Sequence, residues 1–225
     1  MRLRDRVGID AAAQARVAWG MELVLLGILV VGIWDRNTGI IVNTAVGLAV
    51  TQLVPLLERD YDIPMDPALT LWITGAVFLH AVGVIGVPGS PRNLYASVWW
   101  YDHVTHALSA SVVAAAGYAT ARAIDLHTEE VRLPPRFMFV FILLVTLAFG
   151  VLWEVIEFVI GEIAATVGGG AILTQYGLGD SMLDLVFDSL GAVVVAVWGT
   201  AYLTDVAGAL ADRLAEDPDD RGSEG

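Results

Sequence analysis

The chain has 225 residues, 56% of them hydrophobic, with a mean hydropathy of +0.68. It carries 25 acidic residues against 12 basic ones, and it has no cysteine. These figures exclude an ordinary soluble domain, a disulfide framework, a thiolate metal site and a cysteine nucleophile, and they argue against a nucleic-acid partner, which requires basic surface.

Every basic residue is Arg; Lys is absent. The acidic excess fits a halophilic source, because carboxylate-rich surfaces stay hydrated in a high-salt cytosol. Apolar runs of about 20 residues recur along the chain, the length needed to cross the hydrocarbon of a bilayer. The fold class expected is an all-α polytopic membrane protein, a bundle of about six transmembrane helices in the plasma or inner membrane. The small residues Ala11–Ala13 precede the first apolar run instead of following it, so that run reads as a retained helix and not a secretory signal.

The expected spans cover residues 14–34, 38–57, 68–88, 99–123, 137–165 and 181–208. Asp35–Arg36–Asn37 closes the first, Glu58–Arg59–Asp60 the second, and Pro67 opens the third before Pro88–Gly89 ends it. The fifth runs into Gly168–Gly169–Gly170, and residues 167–180 read as a glycine-rich connector without the Lys and Ser/Thr of a phosphate-binding loop. Residues 1–13 then form a cytoplasmic N-terminal arm, 14–208 the membrane domain, and 209–225 an acidic, disordered cytoplasmic tail. Orientation follows from arginine. One side gathers Arg2, Arg4, Arg6, Arg16, Arg59, Arg122, Arg132, Arg136, Arg213 and Arg221, and the other only Arg36 and Arg92. Ten against two places both termini in the cytoplasm.

Three spans carry ionisable residues far from their cytoplasmic ends. They are Asp102, His103 and His106 in WYDHVTHALSA, Glu154 and Glu157 in LWEVIEF, and Asp180, Asp184 and Asp188 in GDSMLDLVFDSLGA. With the topology above, Asp102 and His106 lie about 5 and 10 Å below the outer end of their helix, and Asp184 and Asp188 about 5 and 12 Å below theirs. The glutamates fall in the last third of the fifth span. All three sets thus reach one level in the outer half of the membrane. Asp102 and His106 are i,i+4, Glu154 and Glu157 i,i+3, and the three aspartates successive i,i+4 steps, so each helix presents a stripe. His103 is rotated about 100° from His106.

An ionised carboxylate at mid-span costs about 2.5–3.5 kcal/mol on insertion scales, so six would cost on the order of 15 kcal/mol if isolated at full depth. No Lys or Arg within these stretches offsets them. Shared protons, water or a bound cation must do so. Histidine mixed with carboxylates suits a divalent ion such as Mn, Fe or Zn, whereas carboxylates alone would suit Mg or Ca. A polar core that merely fixes helix pairing is the alternative, although Asn or Gln would serve there at lower cost.

The set WYDHVTHALSA, GVLWEVIEF and DSMLDLVFDSLGAVVVA resembles the YjdF family of uncharacterised inner-membrane proteins and is more distantly similar to the VanZ-like family. The shared pattern runs through Asp102, His106, Glu154, Asp184, Asp188 and Gly191, over roughly residues 99–197. Where VanZ-like proteins usually have Gln and Asn, this chain has Glu157 and Asp188, which adds negative charge and favours a cation. The resemblance implies a fold and a site. VanZ-like proteins are linked to glycopeptide resistance without a settled mechanism, and the YjdF-like family has no established activity.

The residues therefore suggest a membrane enzyme. A divalent metal held by Asp102, His106, Glu154, Asp184 and Asp188 would activate water or polarise a phosphoryl or acyl oxygen, with Glu157 or His103 as general base. Arg92 and Asp180, near the outer end, are the candidates for binding a lipid or lipid-linked substrate, and membrane lipids are the expected partners. A proton-coupled or cation transporter is the alternative, but the residues below Asp188 and Ser111 are almost wholly apolar. A non-catalytic membrane module is a third reading. His80, alone in LWITGAVFLHAVGV, reads as a satisfied core histidine, and Ser109 and Ser111 lack any marked oxyanion hole.

Overall fold

The computed structural model describes residues 10–86, 92–167, 177–199 and 203–215. Among the described residues eight helices follow one another: α1 (Ala11–Trp34), α2 (Thr38–Tyr61), α3 (Pro67–Gly83), the short α4 (Leu94–Ser97), α5 (Tyr101–His127), α6 (Pro135–Val167), α7 (Leu178–Trp198) and α8 (Thr204–Ala215). Local chemistry starts several of them. The carboxylate of Asp10 accepts from Ala13 N, the side-chain oxygen of Asn37 from Ile40 N, and Asp66 from both Ala68 N and Leu69 N ahead of Pro67. Each cap satisfies amides that the first helical turn cannot.

Five helices, α1, α2, α5, α6 and α7, are long and apolar enough to cross a membrane. The third expected span is shorter than residues 68–88: α3 has 17 residues, about 26 Å of rise. It nevertheless runs antiparallel to both neighbours along its length. Ile73 packs near Val54 of α2 while Val77 meets Gly47, and Trp72 meets Ser111 of α5 while Leu79 meets Tyr101. The six long segments therefore alternate, and both described ends of the chain lie on one face of the bundle.

The sixth expected span, 181–208, is two elements. α7 stops at Trp198, Gly199 follows as its cap, and α8 begins at Thr204 with Asp205 in its first turn. Hydropathy alone joined them across the glycine. α8 lays Ala207 and Ala211 inward, packs Val206 and Leu210 on the Val54–Ile63–Met65 cluster, and is tied down by Arg213, which donates to Tyr61 O at 3.0 Å and Asp62 at 2.5 Å. The first part of the tail expected over 209–225 is thus a packed helix; residues 216–225 lie outside the described ones, as do 1–9 of the N-terminal arm and most of the glycine-rich connector.

The packing follows membrane rules. Large apolar side chains such as Trp19, Val30, Leu144 and Phe158 point outward and are more than half exposed, where hydrocarbon meets them. Much of the interior is small or polar. α5, the central helix, buries Ala110, Ala114, Ala115, Ala119 and Ala121 and contacts α3, α6, α7 and α8. Small residues let backbones approach, the main source of helix association where lipid is as apolar as the side chains. The closest approach is at Gly191 of α7, whose place for a Cβ is filled by the carbonyl of Ala107, with Ser111 N at 3.1 Å. That contact draws α5 and α7 together at the level of the charged residues.

Candidate metal centre

α5 and α7 face each other through His106, which stands between aspartates at both ring nitrogens. Nε2 lies 3.6 Å from Asp102 Oδ1, one turn earlier on α5, and 3.9 Å from Asp184 Oδ1 on α7. Nδ1 lies 3.3 Å from Asp188 Oδ1. Nδ1 is within hydrogen-bonding distance of Asp188, which leaves Nε2 on the side of Asp102 and Asp184. His106, Asp184 and Asp188 are buried. Among the described residues Asp184 Oδ1 has no hydrogen-bond partner, an expensive state for a buried carboxylate.

Asp102, His106 and Asp184 each offer a ligand atom, all within 4.8 Å of one another. Ligands at about 2.0–2.2 Å from a tetrahedral ion stand about 3.4 Å apart, so a small inward movement would close them on a divalent cation. The other expected residues surround this triad. Glu154 is buried on α6 and, with Asp180, lies within electrostatic reach of Asp102 and Asp184. Glu157, one turn further along α6, accepts a hydrogen bond from Trp153 Nε1 at 3.1 Å. Asp188 sits on the opposite side of the imidazole from the triad's shared space. His103 stacks flat on Phe187 at 4.5 Å and brings Nδ1 to 3.7 Å from Asp184 Oδ1. Arg92 is exposed, ahead of α4.

Gly150 of α6 makes room for Asp188: a Cβ there would overlap Asp188 Oδ2 and lie 3.0 Å from Leu185 Cδ2. Further along α5 and α7 than the cluster, Ala114, Ala115, Tyr118, Ile142, Ala192 and Val195 belong to an apolar core.

A second polar group adjoins the first. His80 of α3 engages Ser109 Oγ through Nε2 at 2.9 Å and Tyr95 Oη through Nδ1 at 2.8 Å, and its ring lies 6.3 Å from that of His106. His80 is satisfied at both nitrogens. Tyr95 was not identifiable from sequence: it reaches His80 only because Asn93 caps the four-residue α4 and Gly83 leaves space for its ring.

Together these features define an integral, multi-pass α-helical membrane protein with an acidic–histidine cluster inside the bundle. The chain belongs to the family described as "Predicted membrane protein (DUF2238)", whose model matches residues 17–205. An uncharacterised protein of Thermotoga maritima is 32% identical over 126 residues, covering 56% of this chain and 58% of the relative. The chain therefore matches little more than half of that relative's length. No solved structure matches it.

Proposed function

We propose that Asp102, His106 and Asp184 hold a divalent metal ion and that the protein is a metal-dependent hydrolase or transferase acting on a lipid or lipid-linked substrate. The observation that carries this reading is the convergence of three buried or half-buried ligand atoms within 4.8 Å, one of them Asp184 Oδ1, which makes no hydrogen bond among the described residues. Unpaired carboxylates at this depth are costly, and a cation removes the cost. The family match spans residues 17–205 and so includes all three of these residues.

A bound divalent ion would supply Lewis acidity and a water acidified enough to attack at neutral pH. Asp188 keeps His106 in the tautomer that presents Nε2, the usual carboxylate–histidine arrangement behind a metal ligand. Glu154 extends the ligand set from α6. Glu157, held by Trp153, accepts the proton of the attacking water, with His103 the alternative base. Asp180, in the first turn of α7, and Arg92, ahead of α4, contact the polar head of the substrate. The apolar core beneath the cluster favours an enzyme over a transporter.

Turnover assays on lipid phosphoesters and carboxylic esters in mixed micelles test the reading. Activity should vanish with chelation, return with added Mn or Zn, and be absent in Asp184→Asn, whose circular dichroism stays native. Undiminished activity after complete metal removal would overturn it.

A further inference from the structure

A cavity of about 330 Å³ opens beside the cluster between α2, α3, α5, α6 and α7. This is the lower end of the range for small-molecule sites, roughly 300–1,000 Å³. Its two lips are Val46 of α2 and Phe149 of α6, 54% and 55% exposed, while the other lining residues are buried or half-buried. α2 and α6 make at most marginal contact with each other, so the mouth faces sideways, into the bilayer.

The lining is graded. Asn43, His80, His106, Ser109, Trp153 and Asp188 lie toward the charged end. Each helix turns apolar going deeper: Val46 to Val50 on α2, Val77 on α3, Ala110 and Val113 on α5, Phe149 on α6, with Thr146 the polar exception. From Asn43 to Val50 the slot descends about 10 Å. A water-filled path would not be lined this way, and a small polar solute would leave the deep end empty. An amphiphile entering from the side would match both ends.

We propose that this cavity is the docking slot for one hydrocarbon chain of a membrane lipid, entered laterally between α2 and α6, with the lipid's polar end at the charged end of the cavity, beside His106. This deepens the proposed function, resting on it for the chemistry at the polar end, and makes the substrate an acyl-chain lipid of the leaflet on the site's side. Chain selection would come from packing and shape, because hydrocarbon gains little hydrophobic free energy on leaving a bilayer.

The full chain, reconstituted in phosphatidylethanolamine–phosphatidylglycerol vesicles containing phosphatidylglycerol with a mid-chain diazirine, tests the slot. After irradiation, adducts are mapped by mass spectrometry and metal content is measured on the same preparation. We expect adducts at Val50, Val113 and Thr146. They should be lost in both Val50→Phe and Val113→Phe, two fillings from opposite walls, while adducts at Trp19 and Val30 on α1 persist. Adducts confined to the outer surface, or lining adducts untouched by either filling, would overturn the slot. Metal bound without lining adducts would overturn the slot and leave the metal reading standing; lining adducts without metal would do the reverse.

Discussion

Asp184 and Asp188 are buried aspartates one turn apart on α7, yet they meet different nitrogens of His106. Their substitutions should therefore differ. Asp184→Asn removes a proposed ligand and should abolish tight metal binding. Asp188→Asn leaves an acceptor for Nδ1–H but no charge behind the imidazole, and should weaken binding about 10–100-fold. Gly150→Ala removes no ligand, but its methyl group occupies the space of Asp188 Oδ2 and should weaken binding in the same direction. Titration of the apo protein with Zn or Mn, followed by calorimetry, separates the three. Binding should also weaken as pH falls, because protons compete for His106 and the carboxylates. An Asp188→Asn variant with wild-type affinity would remove that residue from the account.

At the scale of elements, the site depends on how closely α5 and α7 approach. Gly191→Ala drives a methyl into the Ala107 carbonyl and should cost about 1–3 kcal/mol, as overpacked interiors do. Gly179→Ala, on the same helix with nothing within 4 Å, should be neutral or slightly stabilising. Unfolding in mixed detergent micelles compares them. Much of this was legible in the chain. The 3.6-residue repeat of Asp102–His106 and Asp184–Asp188 marked two stripes, and the arginine count set which ends were level. α4 and the seating of Tyr95 were not legible, since a four-residue helix leaves no periodicity to read. α8 was absorbed into the sixth span because the run from Ala192 to Ala211 stays apolar on average, and only the packing of Ala207 and Ala211 shows a separate helix turned onto α5. Sequence also could not tell which nitrogen of His106 each aspartate would face, a property of helix rotation.

For the whole molecule, the alternating helices put both described ends on the face away from the cluster. We propose from the arginine distribution that this face is cytoplasmic; a reporter fused after the last residue should then be active inside the cell and protected from external protease. On this proposal the site opens to the outer leaflet. This global arrangement has one energetic centre, the group of carboxylates set among apolar helices without a lysine anywhere in the chain. The most direct test is elemental mass spectrometry on the detergent-purified, dialysed protein and on Asp184→Asn prepared in parallel. About one divalent ion per wild-type chain, lost in a variant that remains folded, is the predicted result. No metal in the wild type, after purification with Mn, Fe and Zn supplied, would contradict it and leave protons or water as the partners of these charges.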